Sequence, residues 1–462
     1  MTVVDTGPEL VAALRAVVGG DAVVADRDLV AEYGVDWTAR WSGTPAAVVL
    51  PSNAAQVAAV IGVCRRFHVP WVPQGGNTGL VGGGVPVGGE VVVSTRRMRT
   101  IGEVDGRAMQ VSVGAGVTLT ELANAVAPLG LVYGIDFGAR DRATIGGTIA
   151  TNAGGNAVLR FGMTRAQLVG IEAVLPDGSV IRRMNGLAKD NTGLNLAQLM
   201  CGSEGTLGVI TAARLQLHPA LTPRVTAALG LPSVSAALDV LSHLRGVSGL
   251  VACELMRGHD ISALCEHRRW PIPAPWVAPW GLLVEAAGPD AFDELAAAVE
   301  RSAPVIVGEP AVARSQAARD AWWRVRDAQG EVAALFGPAV KLDVSIPIHR
   351  LAEFVHGLDD AIESVAPVAR TVVFGHLGDG NLHVNVAVPV EGFHAVETCV
   401  LSRVLDCGGV VSAEHGIGRL KRGWLVRDRG RPDVDAMRSI KRAIDPDGLA
   451  NPGVLYPDDV DA

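Results

Sequence analysis

The residues best suited to chemistry gather in the C-terminal half of this chain. Gly375-His376-Leu377-Gly378-Asp379-Gly380-Asn381-Leu382-His383-Val384-Asn385 places two histidines around Asp-Gly, a strong two-residue hairpin signal. A hairpin centred there pairs Gly378 with Asn381, Leu377 with Leu382 and His376 with His383. The two imidazoles then face each other with Cβ atoms about 5 Å apart, and Asn385 shares their face. Such a pair binds a divalent ion or is simply two sheet histidines. Ser412-Ala413-Glu414-His415-Gly416-Ile417-Gly418 supplies a carboxylate beside another histidine. His376, His383 and Glu414 make a His₂Glu set with an open position, the pattern of a catalytic metal site. His415 is left as a base, because an imidazole titrates near neutral pH. The plainer alternative is a capped loop with a surface Glu-His pair. Arg326 and Lys341 are cations that could clamp a carboxylate, the first bidentately and the second as a point charge, or could lie on a solvated surface.

Three glycine-rich segments precede these motifs. The first is Pro73-Gln74-Gly75-Gly76-Asn77-Thr78-Gly79-Leu80, followed by Gly82-Gly83-Gly84. It lets backbone N–H groups converge on an anion such as a pyrophosphate, although by itself it reads equally well as a hairpin loop. It is neither a Walker A loop nor the G-x-G-x-x-G pattern. The second runs from Ala143 to Gly155 and on to Gly162, and its small residues permit close backbone approach to a flat or phosphorylated ligand. The third is Gly202-Ser203-Glu204-Gly205-Thr206-Leu207-Gly208-Val209-Ile210. Three such segments in one region suggest one large cofactor.

The elements that must position these residues alternate between strand and helix. Residues 7–40 read as a helical lead-in. Ala46–Leu50 suits a buried strand, and Ser52 or Asn53 can cap a helix from Ala54 to Phe67. Strands follow at Val69–Val72, Val91–Ser94 and Gln110–Val113, with a helix over Leu119–Leu129. A second block has strands at Val225–Leu229, Leu250–Leu255 and Leu282–Glu285, and helices at Ser235–Leu244 and Ala291–Arg301, which suggests a second sheet covered by helices. Residues 266–280 are rich in Trp and Pro and read as a loop with packed tryptophans, or as a docking loop. With 462 residues, 49% hydrophobic and 19% charged, the chain is long enough for two to four domains and a large core. A net charge of −8 without a basic run argues against a nucleic-acid surface. The six cysteines show no C-x-x-C spacing and read as reduced, mostly buried thiols of a cytoplasmic protein. Met1–Asp5 shows no signal-peptide pattern and no run of 18 apolar residues occurs, so neither a leader nor a transmembrane helix is expected. Peripheral membrane association stays open.

The three glycine segments together resemble the FAD-binding domain of the vanillyl-alcohol oxidase (PCMH-type) flavoproteins. With Gly375–His383, Glu414–Gly418 and Asp445-Pro446…Asn451-Pro452-Gly453, the chain is similar to their D-2-hydroxy-acid dehydrogenase branch. That branch includes D-lactate and D-2-hydroxyglutarate dehydrogenases and the flavin subunit of glycolate oxidase. The resemblance runs from about residue 42 to 456. It implies an α+β fold with a two-subdomain FAD-binding domain over 42–221, after a lead-in over 1–41. A ferredoxin-like substrate (cap) domain with the metal site would span 222–425, and a C-terminal segment over 426–462 would pack back on the FAD domain. It further implies that Pro73, Gly75, Gly76, Asn77, Thr78, Gly79, Leu80, Asp136, Thr144, Gly146, Gly147, Asn152, Gly154, Gly155, Gly162, Glu204, Gly205, Gly208, Ile210 and Asn451 bind FAD. His376, His383 and Glu414 would hold zinc or manganese, His415 would be the catalytic base, and Arg326, Lys341 and Asn385 would bind substrate.

The implied reaction oxidises a D-2-hydroxy acid to the 2-oxo acid, with hydride transfer to flavin N5 and proton transfer to His415. Gln74 stands in a first loop without histidine, so non-covalent FAD is expected. Gly330 stands where D-2-hydroxyglutarate dehydrogenases tend to carry Thr, and Val454 where Lys is common, so the acid itself stays open. Glycolate or an aromatic 2-hydroxy acid is the alternative substrate. A non-catalytic flavin electron-transfer subunit is the alternative of another class. The lack of cysteine-rich extensions points to a separate electron acceptor, an electron-transfer protein, quinone or dye. A homodimer is compatible with the sequence.

Overall fold

A computed structural model describes residues 7–456. The expectation drawn from Met1–Asp5 and the last residues of the C-terminal segment lie outside that range. The chain divides into two compact units. The first is formed by the chain up to Gly155, by Gly162–Ala220 and by the segment from His415 onwards. The second is formed by Asn156–Phe161 and Leu221–Glu414. The C-terminal return thus begins at His415 rather than at 426, and six residues of the expected FAD domain belong to the second unit.

The first unit holds two subdomains. One has a four-stranded sheet in the order Val23–Val24, Ala47–Val49, Val91–Ser94, Trp71–Gln74, the last three strands parallel. The valine-rich runs at 47–49 and 91–93 are wholly buried, as strands covered on both faces must be. Helix Ala54–Arg66 begins where Asn53 accepts from Gln56 N–H, and it buries Val57, Val60, Ile61 and Cys64. Helix Pro8–Val18 adds Leu10, Leu14 and Val18 to the same core, so the lead-in is part of this subdomain. The other subdomain has an antiparallel sheet, Gln110–Gly114, Val209–Gln216, Leu168–Val174 and Val180–Arg183, with its own core. Helix Leu119–Val126 starts with a reciprocal capping box between Thr118 and Glu121.

The C-terminal segment returns through Asp445. Its carboxylate accepts from Leu449 and Ala450 N–H and pairs with Lys441, shaping the turn after helix Arg431–Ile444. Leu449–Asn451 then lies beside Trp71, with Trp71 N–H donating to Leu449 O and Asn451 N–H to Trp71 O.

The second unit is built on a seven-stranded antiparallel sheet in the order Ala311–Val312, Arg224–Leu231, Trp280–Ala287, Leu250–Arg257, Arg370–His376, Asn381–Ala387, Ala339–Ser345. Met256, Leu283, Val372 and Phe374 of one face pack against Ile261 and Leu264 of helix Gly258–Arg268 and Val325 of helix Gln316–Asp327. Trp276 of the Trp/Pro-rich stretch is fully buried in this cluster and donates its indole N–H to Leu282 O. Pro275, Trp276, Ala278 and Trp280 of that stretch are thus buried, whereas most of its other positions, Val277 among them, are exposed. The cysteines are all free thiols, five of them buried. No helix among the described residues is long and apolar enough to cross a membrane.

Candidate active site

The hairpin 370–387 differs from the expected one. His376 pairs with Asn381, Gly375 with Leu382 and Phe374 with His383, so the turn spans Leu377–Gly380 rather than Asp379-Gly380 alone. Gly380 has φ +81°, and a Cβ there would lie 2.4 Å from Ile346 O, so the Asp-Gly pair does mark the turn but closes a four-residue loop. The displacement is two residues along the strand. Because side chains alternate with period two, the two histidines keep a common face. They are diagonal neighbours with ring centroids 5.7 Å apart and nearly perpendicular planes.

The third candidate ligand, Glu414, arrives along the sheet edge. Ser345 and Val410 exchange backbone hydrogen bonds, which lays the 410–414 segment against strand Ala339–Ser345. Asp343 of that strand is fully buried and accepts from Ala413 and Glu414 N–H at 3.2 and 2.7 Å. Its other oxygen accepts from Asn381 Nδ2 at 2.8 Å and lies 3.7 Å from His383 Nδ1. Asp343 therefore fixes both the backbone that bears Glu414 and the strand that bears His383.

One donor atom from each of His376, His383 and Glu414 lies within 4.8 Å of the others. His376 Nε2 is 4.0 Å from Glu414 Oε1. Ligands at about 2.1 Å around a tetrahedral ion stand about 3.4 Å apart, so the set fits a divalent cation after small side-chain adjustments. The other ring nitrogen, Nδ1, is 2.8 Å from Glu254 Oε1. Burial lowers the pKa of His376, but the charge on Glu254 outweighs it and pushes the imidazole up to about 9.

The cationic candidates separate. Arg326 is buried, with Nε and Nη2 both 2.7 Å from Glu254 Oε2. Its Nη2 is also 3.3 and 3.1 Å from His376 Nδ1 and Nε2. An atom that close to both ring nitrogens lies over the ring face, since in the plane it would collide with Cε1. The in-plane lone pair of Nε2 thus stays available to a metal. The bidentate grip expected on a substrate is already directed at Glu254. Lys341 stands across from Asn385 in the ladder, on the face that carries His383. Burial holds its ammonium below the ordinary lysine range, with Glu331 opposing.

In the first unit the glycine segments converge. A Cβ on Gly76 would lie 1.8 Å from Arg142 O, and one on Gly75 would lie 2.2 Å from Thr144 Oγ1. Thr144 caps helix Ile145–Thr151, so the first loop lies directly against the start of that helix. Asn451 donates from Nδ2 to Gly83 O and Glu204 O at 2.9 and 2.7 Å, tying the first and third segments together. Burial pushes Glu204 up to about 7 even though Ile417 and Gly418 N–H donate to it. Gln74 Oε1, Ser203 Oγ and Asn451 Oδ1 are buried and find no partner within the protein. Unpartnered polar atoms in the first and third glycine-walled segments, and on the Asn451 that ties them together, fit a large polar cofactor. Gly76→Ala is expected to force the first loop off helix Ile145–Thr151 and to yield colourless protein. Retention of a full flavin complement on purification would contradict this.

Sequence reasoning missed Glu254 and Asp343. The available signal was a charged residue inside an apolar strand run, Val251-Ala252-Cys253-Glu254-Leu255, where burial demands a partner.

Two glycine-lined subdomains in one unit and an antiparallel, helix-covered sheet in the other define a flavoprotein architecture. Residues 45–183 match the family described as FAD binding domain, and residues 221–455 that described as FAD linked oxidases, C-terminal domain. The chain is 35% identical to the D-2-hydroxyglutarate dehydrogenase of Xanthomonas citri pv. viticola, over 92% of each chain. It is 34% identical to the mitochondrial D-2-hydroxyglutarate dehydrogenase of Danio rerio, over 96% of this chain and 85% of that protein. Its fold matches substrate-bound p-cresol methylhydroxylase with a TM-score of 0.77 at 16% identity, over 97% of this chain and 96% of the other. The chain belongs to the FAD-linked oxidase family and is an FAD-dependent oxidoreductase.

Proposed function

We propose that the protein oxidises a D-2-hydroxy acid of the D-lactate or D-2-hydroxyglutarate type to the 2-oxo acid. The carrying observation is the convergence of His376, His383 and Glu414 beside a buried arginine, in a chain of this family. Gly75–Leu80, the 144–147 helix start, 204–208 and Asn451 would hold FAD without a covalent link, and FAD would supply the acceptor for the substrate hydride. His376, His383 and Glu414 would hold a divalent cation, zinc or manganese by the donor types, which would supply positive charge that acidifies a hydroxyl.

The remaining roles belong to the chain. His415 accepts the hydroxyl proton. Lys341, partly desolvated, gains most from an arriving carboxylate, which restores the environment its charge lacks. Arg326 adds a second positive charge beside His376, and Asn385, buried next to Lys341 in the ladder, offers an amide for the substrate oxygens. Electrons leave to a separate acceptor.

Anaerobic titration of purified protein with D-lactate, D-2-hydroxyglutarate, glycolate and D-mandelate tests this reading. Bleaching of the flavin bands by D-lactate or D-2-hydroxyglutarate is expected. A yellow protein that no acid bleaches would favour a flavin subunit without its own dehydrogenase site. One feature favours a second substrate reading: a Cβ on Gly330 would have only Phe374 Cζ nearby, at 4.0 Å. Phe374 in turn packs on His383 with centroids 4.7 Å apart. The space left at Gly330 suits a bulkier acid, so the D-mandelate arm separates that case.

A further inference from the structure

Glu254 sits in the middle of the second unit's sheet and is only 1% exposed. A carboxylate buried this deeply is tolerated only with good partners. It has two, and its oxygens are divided between them. Arg326 brings both Nε and Nη2 to Oε2, at 2.7 Å each, while His376 Nδ1 lies 2.8 Å from Oε1. The common arginine–carboxylate fork uses both oxygens in parallel. Here the second oxygen is turned to the imidazole instead, across a direct register pair of neighbouring strands, Glu254 and His376. The opposite ring nitrogen, Nε2, faces Glu414 at 4.0 Å.

We propose that Glu254 is a positioning residue for the metal site. By accepting from His376 Nδ1–H, it holds the imidazole in the tautomer and orientation that present Nε2 to the cation. The same carboxylate fastens Arg326 beside that ligand, so the metal ligand and the neighbouring positive charge are set by one side chain. The inference rests on the reading of His376, His383 and Glu414 as a metal set. Holding helix Gln316–Asp327 in place does not by itself account for Glu254, because another carboxylate already does that. Glu285, equally buried on the same sheet, accepts from Arg319 Nε at 2.6 Å, Trp323 Nε1 at 2.9 Å, Arg224 Nη1 at 2.7 Å and Thr226 Oγ1 at 2.9 Å.

That contrast supplies the control. FAD-loaded wild type, Glu254→Gln, Glu254→Asp and Glu285→Gln are stripped of metal with a chelator and titrated with Zn²⁺ and with Mn²⁺ by calorimetry. Glu254→Gln is expected to weaken metal binding about 10- to 100-fold, with flavin content unchanged, and Glu254→Asp to fall between it and wild type. Glu285→Gln is expected to keep nearly the wild-type affinity. Wild-type affinity in Glu254→Gln would overturn the proposal, and so would an equal loss in Glu285→Gln, which would assign the effect to helix anchoring. If Glu254→Gln does not fold, Glu254→Asp decides: weakened binding supports the proposal and unchanged binding overturns it. Wild type that binds neither ion overturns the metal reading itself, a result distinct from wild type that binds while Glu254→Gln binds equally well.

Discussion

His415→Ala is expected to purify yellow, with a full complement of FAD, and to reduce that FAD about 10²- to 10⁴-fold more slowly when a D-2-hydroxy acid is added. The range is that of a lost general base. His415 opens the segment by which the chain re-enters the first unit. The backbone immediately after it is held there, since Ile417 and Gly418 N–H donate to Glu204 at 2.8 and 2.7 Å. Removing the imidazole leaves those bonds and the glycine-walled loops in place, so the loss should fall on the rate and not on cofactor retention. Stopped-flow mixing with saturating acid, followed at the flavin bands, measures it. Reduction at the wild-type rate would remove His415 from the base role.

Metal removal should be comparably severe. Chelator-treated wild type is expected to lose roughly 10²- to 10³-fold in flavin reduction, the equivalent of several kcal/mol of charge stabilisation. Added Zn²⁺ or Mn²⁺ should restore it. His376→Ala should show the same loss without restoration, because one of three ligands is gone. Undiminished activity in metal-free protein would exclude the cation from the reaction. The pH dependence has a definite sign. With Glu254 raising His376 to about 9, the metal-free imidazole carries a proton at neutral pH that the cation must displace. Apparent metal affinity should therefore rise with pH, by about tenfold per unit for this group, and level off above about 9. A flat profile between pH 6 and 8 would show that His376 is not the ligand being freed.

Much of the candidate site was legible because its residues are local in sequence. His376, His383 and their shared face follow from one Asp-Gly turn and the period-two alternation of strands. A turn misjudged by two residues moved each pairing along the ladder without moving either imidazole to the other face. The glycine segments were legible as loops of close approach, and Gly76 against Arg142 O is such an approach. Other features depend on contacts between residues far apart in the chain. No local pattern states that Glu254 meets both Arg326 and His376, or that Asp343 meets Glu414 N–H.

The amino-acid sequence by itself determined the order of elements, the split between glycine-walled loops and a second sheet covered by helices, and which side chains could bear the chemistry. These depend on periodicity, turn chemistry and residue type, all of which act over a few residues. Only the tertiary structure decided which charges compensate which. Arg326 reads as a free cation along the chain, yet in the fold its guanidinium lies on Glu254, because a buried charge is stable only where the fold brings it an opposite one.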